Sequence, residues 1–335
     1  MLLYIVVWII LLLYSFKKEN TTILWICILL LICMAGLRSI SVGTDTFSYE
    51  DIYYWIEAGN ANFIEPGWRF LNWLIQYVGG NFNMLLMVVA ILTLLPVGFV
   101  IKQCSPAPSL SLFLYFSLFT YLQSYNLMRQ MLAVSIVLLG YTYLYKQQRV
   151  RYLICVAFAM TFHTSALFSI PLIWIDRFNL SMKKVLWILS ITLILGYLLS
   201  DTTFLYLVGP YAAYLENGYK EGLLSIYIQA VLINLLFLFI FYTTDKESQN
   251  SFWIKIFFIG IVLMDLTARL TQGTRITLFF MVVQFIVYPQ YFVSNRVSNK
   301  ILVHFCILLY CAMIFMKLLI WDGNGVCPYK CILFN

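Results

Sequence analysis

The stretch FNMLLMVVAILTLLPVGFVI at residues 82–101 contains twenty residues without a single charge. An α-helix needs about 20 mainly apolar residues to cross the hydrocarbon core of a bilayer, so this segment predicts a membrane span. The rest of the 335-residue chain has the same character, since 63% of its residues are hydrophobic and only 10% are charged. A soluble domain carries about 25% charged residues. The composition therefore predicts an all-α, polytopic membrane protein, folded as one helical bundle over 1–335.

Similar apolar runs predict about ten spans. They lie near 2–16, 22–37, 82–101, 109–126, 128–145, 184–200, 223–243, 252–271, 276–293 and 300–320. The first run is interpreted as a span rather than a cleavable signal peptide, because no positive region precedes it and no small-residue cleavage site follows. Segment 152–175 is too long for one span and is interrupted by 163–165 and by Pro171. It predicts a re-entrant hairpin or two short helices, with the tip at 163–165.

Four short basic connections set the predicted orientation. They contain Lys17 with Lys18, the run 146–151, the run 177–184 and the run 296–300. Cytoplasmic loops carry an excess of Lys and Arg, so we expect these connections inside and both chain termini outside. The hairpin at 152–175 keeps 177–184 inside, whereas a single span there would place it outside.

Two longer connections, 38–81 and 201–222, are then extracytoplasmic loops, both rich in Tyr, Asp, Glu, Gly and Asn. The first contains EPGWRFLNWLIQYVGG at 65–80. Its apolar residues recur at helical spacing, and Pro66 suits a helix start. These residues are Trp68, Leu71, Leu74 and Ile75. We expect an amphipathic helix that lies at the outer membrane interface.

Arginine is the main basic residue type on the predicted outer side. The outer arginines are Arg38, Arg69, Arg129, Arg269 and Arg275. A guanidinium binds phosphate or carboxylate through two parallel hydrogen bonds, and charges at a membrane edge indicate function by default. The set favours an anionic substrate, while the alternative for each arginine is pairing with an acid or a lipid head group.

Several function classes are excluded or disfavoured. The formal charge of +7 does not indicate nucleic-acid binding, because the basic residues are scattered through loops. The sequence has no Walker A or GxGxxG motif, and no CxxC pair, DxD motif or histidine cluster. We therefore expect no nucleotide hydrolysis, no cofactor and no metal. Most cysteines lie in apolar runs as small hydrophobes. For Cys327 and Cys331 we expect free thiols, although a disulfide stays open if the tail lies outside.

Five short motifs follow one another along the chain. They are Arg38 with GTDTFSY at 43–49, EPGW at 65–68, YNLMRQMLA at 125–133, FHTSAL at 162–167 and CPYK at 327–330. In this order and spacing the chain resembles, over nearly its whole length, the EpsG family of bacterial exopolysaccharide biosynthesis proteins. That family is related to Wzy-type O-antigen and capsule polymerases.

The resemblance implies a polymerase at the outer face of the bacterial inner membrane. Such an enzyme transfers a growing glycan from undecaprenyl pyrophosphate to the terminal sugar of a new undecaprenyl-pyrophosphate-linked oligosaccharide. The donor linkage supplies the energy, so neither nucleotide sugar nor ATP is needed. The resemblance leaves open a chain-length regulator as a partner and does not name the sugars.

Candidate site residues come from these motifs and from the outer arginines. The catalytic candidates are His163, Asp45 and Glu65, and the substrate-binding candidates are Arg38, Tyr49, Arg129, Gln130, Arg275 and Tyr329. A histidine can take a proton near neutral pH, and carboxylates can activate an acceptor hydroxyl. Arginines can neutralise a leaving pyrophosphate, and Arg275 has no obvious local partner in the sequence.

Each candidate also has a structural alternative. Asp45 or Thr44 could cap a helix that starts near Thr46, and Glu65 could favour a helix N-terminus through the helix dipole. Arg129 could pair with Asp45 or Glu65. Arg269 has Asp265 at the (i, i+4) spacing of an ion pair.

Two other function classes stay open. One is another membrane glycan transferase, either an O-antigen ligase or an O-acyltransferase, and the acyltransferase would need its polar residues on the cytoplasmic side. The other is a flippase. Flippases often show repeated halves, and we find no internal repeat in the sequence.

Overall fold

The computed structural model describes residues 1–61, 63–118, 120–198, 223–244, 246–268, 273–293, 300–322 and 324–334. In these ranges every regular element is a helix, which confirms the all-α prediction. The α-helices are α1 (Leu2–Ser15), α2 (Thr21–Gly36), α3 (Thr46–Glu57), α4 (Pro66–Tyr77), α5 (Phe82–Cys104), α6 (Pro108–Ser117), α7 (Thr120–Gln123), α8 (Met128–Tyr145), α9 (Arg149–Met160), α10 (Met182–Leu198), α11 (Leu223–Thr243), α12 (Lys246–Gln249), α13 (Phe252–Leu266), α14 (Gly273–Met281), α15 (Gln284–Val293) and α16 (Lys300–Trp321). Two 3₁₀ segments occupy Thr164–Arg177 and Ile332–Phe334.

Three helical stretches of the described chain are long and apolar enough to cross a membrane. They are Phe82–Cys104, Arg275–Val293 and Ile301–Trp321, and the shorter apolar helices are Leu2–Ser15, Thr21–Gly36 and Tyr227–Thr243. Aliphatic side chains such as Leu13, Ile26 and Leu29 remain exposed on α1 and α2, as a lipid-facing surface requires. The chain is a membrane protein. The count of about ten spans stays a prediction.

The predicted span 109–126 is wrong as a single helix. Helix α6 ends at Ser117, and after the short α7 the chain turns over residues 124–127 before α8 begins. Contacts with distant parts of the chain stabilise the turn. Arg38 donates to the carbonyl oxygen of Tyr125 at 3.2 Å, and the Asn126 side chain contacts the C-terminal tail. These partners are distant in sequence. Hydropathy continues through the break and could not locate it.

The predicted span 276–293 corresponds to Arg275–Val293, which is long and apolar enough to cross a membrane, and a turn at residues 282–283 divides it into α14 and α15. Two carbonyl groups left free near the break receive hydroxyl donors from other helices. Tyr141 of α8 donates to Phe279 O at 2.9 Å, and Ser111 of α6 donates to Phe285 O at 2.6 Å. The helical partner of Phe285 O would be the backbone N–H of residue 289, which proline lacks. These two hydrogen bonds therefore link α14 to α8 and α15 to α6.

Segment 152–175 folds back on itself as predicted. Its limbs are α9 and the 3₁₀ segment, and the tip is at His163. The Tyr152 hydroxyl donates to Ser169 O at 2.6 Å, and Arg149 Nη2 lies 3.6 Å from Asp176 Oδ2. A continuous helix could not bring residues 17 or 27 positions apart this close. The first and last residues of the hairpin therefore lie at the same end of the molecule.

Several connections meet at that same end of the molecule, which we call the basic end. Asn250 and Leu180 exchange hydrogen bonds of 2.7 and 3.1 Å. The Tyr145 ring lies 6.3 Å from that of Trp253. The basic end thus contains 146–151 and 177–184, two of the four connections predicted to be cytoplasmic, and 296–300 lies mostly outside the described residues.

Candidate functional site

The five sequence motifs meet at the opposite end of the molecule, which we call the motif end. Its frame is a backbone pairing between the start of the 38–81 loop and the C-terminal tail. Gly43 N donates to Gly325 O at 2.8 Å, and Ile332 N donates to Leu37 O at 2.9 Å. Gly43 has φ of 98°, a left-handed conformation that favours glycine. The tail therefore fixes the position of the first motif.

Arg38 lies inside this frame and is only 2% exposed. Its guanidinium donates to Ala35 O, to Tyr125 O at 3.2 Å and to Met128 Sδ at 3.2 Å, and it lies 4.6 Å from the Tyr125 ring centroid. These contacts join the end of α2 to the turn that precedes Arg129. Asp45 is not among these partners.

Arg129 is at the start of α8, where the sequence predicts it, and it pairs with Glu65. The pairing alternative raised from the sequence is therefore the arrangement observed. The two side chains are 24% and 17% exposed, so the pair is mostly withdrawn from water. The guanidinium carbon also lies 5.9 Å from the centroid of the Tyr49 ring. Next to Arg129, Gln130 Nε2 donates to the backbone oxygen of Arg275, which brings the start of α14 to the same place.

Glu65 immediately precedes α4, and its side chain makes no capping hydrogen bond. The backbone N–H of Gly67 donates to Thr161 O at 2.8 Å, and a Cβ at residue 67 would collide with Thr161. Glycine therefore allows the EPGW motif to lie directly against the hairpin tip. This contact places Glu65 beside the FHTSAL motif.

His163 begins the 3₁₀ limb of the hairpin, and its Nδ1 accepts the backbone N–H of Ser165 at 3.2 Å. Burial, and then the positive charges of Arg129 and Arg275, lower the pKa of His163 to about 4. The ring is therefore neutral at neutral pH. Because Nδ1 is an acceptor, the single proton of the neutral ring is on Nε2. His163 thus offers a hydrogen-bond donor.

Asp45 immediately precedes α3, which starts at Thr46 as predicted. Its side chain makes no capping hydrogen bond, so the capping alternative is not the arrangement observed. Within the described residues, its Oδ1 accepts a hydrogen bond from Thr44 Oγ1 at 3.2 Å. The carboxylate is half-buried and remains accessible for a further hydrogen bond.

The remaining predicted residues lie at the edge of this group or outside the described part of the chain. Tyr329 donates its hydroxyl to Met34 O at 3.0 Å and packs edge-on against Tyr4. Cys327 and Cys331 are free thiols. Arg269 and the loop 201–222 lie outside the described residues. Asp265, which the sequence offers as a partner for Arg269, accepts hydrogen bonds from Thr192 and Asn234 at 3.0–3.1 Å.

Sequence reasoning missed the role of Asn126. Its Oδ1 accepts the backbone N–H of Asp45 at 3.3 Å, and its Nδ2 donates to Asn324 O at 2.9 Å. It therefore joins the first motif, the third motif and the tail. The sequence signal for Asn126 was its amide side chain, which stands just before a long helix inside the motif YNLMRQMLA.

Comparison with known proteins gives one family match. A family model described as the EpsG family matches residues 21–331, a range that contains all five motifs. No curated protein and no solved structure is significantly similar to the chain.

Proposed function

The chain belongs to the EpsG family, and on that premise we propose that it polymerises oligosaccharide repeat units carried on undecaprenyl pyrophosphate. The reaction would take place at the extracytoplasmic face of the bacterial inner membrane and yield an O-antigen, capsular or exopolysaccharide. The observation that supports this proposal best is the mostly buried ion pair of Arg129 and Glu65, beside which Gln130 contacts the backbone of Arg275 and Gly67 contacts the hairpin tip. Cationic and donor groups together suit a pyrophosphate leaving group.

The two arginines supply the charge for the donor. Arg129 and Arg275 are both close enough to affect the pKa of His163, and Glu65 is the one carboxylate that forms a salt bridge with either of them in the described residues. Within the described residues no carboxylate pairs with Arg275, and we assign its guanidinium to the pyrophosphate. Helix α8 begins beside Arg129 without a side-chain cap, so its first backbone N–H groups also face this end. Arginines in these positions replace a metal ion in our proposal.

The proposed reaction is a glycosyl transfer. The acceptor hydroxyl oxygen forms a bond to the anomeric carbon of the donor, and the bond from that carbon to the pyrophosphate oxygen breaks. The pyrophosphate leaves with the electron pair, and the hydroxyl proton passes to a carboxylate. Glu65 already pairs with Arg129, whereas within the described residues the carboxylate of Asp45 contacts the neighbouring Thr44. Asp45 is therefore the better candidate for the base, and Glu65 for the group that orients Arg129.

His163 has a different proposed role from the proton acceptor that the sequence suggests. With Nδ1 occupied by the Ser165 N–H, Nε2–H is the group free to meet substrate. We assign this donor to an oxygen of the leaving pyrophosphate, where negative charge develops. The neutral ring also avoids a third positive charge beside the arginines.

The surface of α4 supports placement of the motif end at a membrane interface. Its outward face carries Phe70, Trp73 and Tyr77, all exposed. Their rings form a row, with centroids 5.8 and 5.4 Å apart. Trp and Tyr are enriched where a bilayer meets water. With the basic end in the cytoplasm, this row would lie at the outer interface.

Deletion of the gene in its own host tests the proposed function. We expect long surface polysaccharide to vanish from gels while a single lipid-linked repeat unit persists, and a plasmid copy should restore polymer. If polymer length is unchanged but a substituent or the final attachment is missing, the protein is an acyltransferase or a ligase. If lipid-linked units accumulate only on the cytoplasmic side, it is a flippase.

A further inference from the structure

Four buried polar atoms on α4 and at the start of α8 have no hydrogen-bond partner within the described residues. These atoms are Trp68 Nε1, Asn72 Oδ1, Arg129 Nε and Gln130 Oε1. Folded proteins pair the great majority of such atoms, because an unpaired buried donor or acceptor is costly. The starts of the two helices are joined by the ion pair of Glu65 and Arg129, so these unpaired groups indicate a place where a polar ligand completes the hydrogen bonds.

Trp68 and Asn72 belong to the same buried face of α4. Both are 0% exposed, and they lie four residues apart, which places their side chains next to each other on a helix. Asn72 Nδ2 donates to Trp68 O at 2.7 Å, so the amide orientation leaves its oxygen as the unused atom. The Trp68 ring lies 5.5 Å from the ring of Tyr49, which contacts the Arg129 guanidinium.

The chemistry of the two atoms selects a class of ligand. The indole N–H is only a donor and the amide oxygen is only an acceptor, so together they match a neutral hydroxyl, which both donates and accepts. A phosphate oxygen would be bound by the donor but repelled by the amide oxygen. Trp68 lies in the first turn of α4, three residues after Glu65, and Glu65 pairs with Arg129. The face of α4 therefore fits a sugar better than a pyrophosphate.

We propose that Trp68 and Asn72 form the acceptor subsite, where they bind hydroxyl groups of the terminal sugar of the incoming repeat unit. The proposal rests on the proposed polymerase function and adds to it two residues that recognise the acceptor. The arginines hold the pyrophosphate end of the donor, and the buried face of α4 holds the neutral sugar that attacks it. Discrimination of the acceptor then depends on hydrogen bonds that a wrong sugar would leave unpaired.

A second tryptophan provides a matched control. Trp8 Nε1 is also buried without a partner in the described chain, but the Trp8 ring packs against Phe113 and Phe315 at 5.3 and 5.6 Å. Its surroundings are apolar and offer nothing to bind a sugar. Replacement of either tryptophan by phenylalanine keeps an aromatic ring and removes only the N–H group and some volume.

The test measures binding of the host's repeat-unit oligosaccharide, released from its lipid carrier, to the purified full-length protein in detergent. Calorimetry is carried out on the wild type and on Trp68→Phe, Asn72→Leu and Trp8→Phe. We expect each α4 variant to bind about three- to tenfold more weakly, the loss typical of one hydrogen bond. Trp8→Phe should bind as the wild type does. Asn72→Leu keeps the test available if Trp68→Phe does not fold.

Polymer formation in liposomes separates the outcomes. The Michaelis constant for the released oligosaccharide as acceptor should rise in the two α4 variants, while the constant for the lipid-linked donor stays unchanged. Equal effects of Trp68→Phe and Trp8→Phe, unchanged binding, or a change confined to the donor constant would each overturn the acceptor subsite. Binding without any polymer from the wild-type protein would instead contradict the proposed function and leave the sugar site standing.

Discussion

The two ends of the molecule carry charge in different ways. At the basic end the ion pair of Arg149 and Asp176 is 49% and 43% exposed, so water solvates both charges. At the motif end the pair of Arg129 and Glu65 is 24% and 17% exposed, and Arg38 is almost completely buried. A buried charge costs free energy that an exposed charge does not. The two ends are therefore distinguished by how deeply their ion pairs are buried.

Removal of Arg129 should give the largest effect. Arg129→Ala takes away the planar donor group for pyrophosphate and leaves Glu65 without its partner, so we expect at least about a hundredfold loss of polymer. The matched control is Arg151→Ala at the basic end, where Nη1 bonds the Gln148 side chain at 2.9 Å and the guanidinium lies over the Tyr143 ring. That variant should make normal polymer. Gels of surface polysaccharide, with immunoblots for membrane protein level, provide the comparison.

Two further variants separate recognition from charge balance. In the double variant Glu65→Ala with Arg129→Ala no unpaired carboxylate remains, yet activity should stay lost. Arg129→Lys should restore only part of it, because a point charge does not reproduce a planar fork. Full polymer in either variant would show that Arg129 only neutralises Glu65.

The role of His163 predicts a smaller loss that depends on the substituent. His163→Ala should reduce polymer about tenfold or more, as expected for a lost donor to developing charge. His163→Gln should retain most activity, since its side-chain N–H can take the place of Nε2–H. Because the pKa of His163 is lowered to about 4, acidification should not titrate this residue until the pH approaches that value. His163 would instead be a general base if both variants lost polymer equally and wild-type activity fell as the pH dropped through neutrality.

Labelling of introduced cysteines tests whether the two ends lie on opposite sides of the membrane. A cysteine at Ser165, at the hairpin tip, should react with a membrane-impermeant maleimide added to intact cells. A cysteine at Ser181, in the basic connection after the hairpin, should react only after permeabilisation. Cells without the introduced cysteines correct for native thiols. The reverse pattern would invert the orientation, and with it the proposed site of polymerisation.

The smallest effect is expected at the tail. Tyr329→Phe removes one hydrogen bond to Met34 O, which should lower the free energy of unfolding by about 1 kcal/mol and leave polymer unchanged. A thermal-shift measurement and a polysaccharide gel on the same variant provide the test. Loss of polymer at unchanged stability would instead support the substrate-binding role that the sequence predicts for Tyr329.

Local patterns predicted much of the fold. The all-α class, the start of α3 at Thr46, the start of α4 at Pro66 and the hairpin at 152–175 each follow from hydropathy, a turn or proline signal, or charge parity. The breaks before α8 and between α14 and α15 could not be predicted, because the hydroxyl and guanidinium groups that stabilise them come from distant helices.

The sequence was a better guide to which residues form the candidate site than to the contacts between them. The sequence places Glu65, Arg129 and His163 in separate motifs, and it names Glu65 as one of two acids that could pair with Arg129. It could not show that Arg38 is turned toward the backbone rather than toward Asp45. That outcome depends on Tyr125 and Met128, which approach Arg38 only in the folded bundle.

Reconstitution of the purified protein tests the central claim most directly. The protein is placed in liposomes with the host's undecaprenyl-pyrophosphate-linked repeat units and no nucleotide, and the products are separated by size. Our account predicts a ladder of glycans spaced by one repeat unit, formed by the wild type and absent with Arg129→Ala. Unpolymerised units with the wild-type protein, or a ladder that Arg129→Ala also forms, would contradict it.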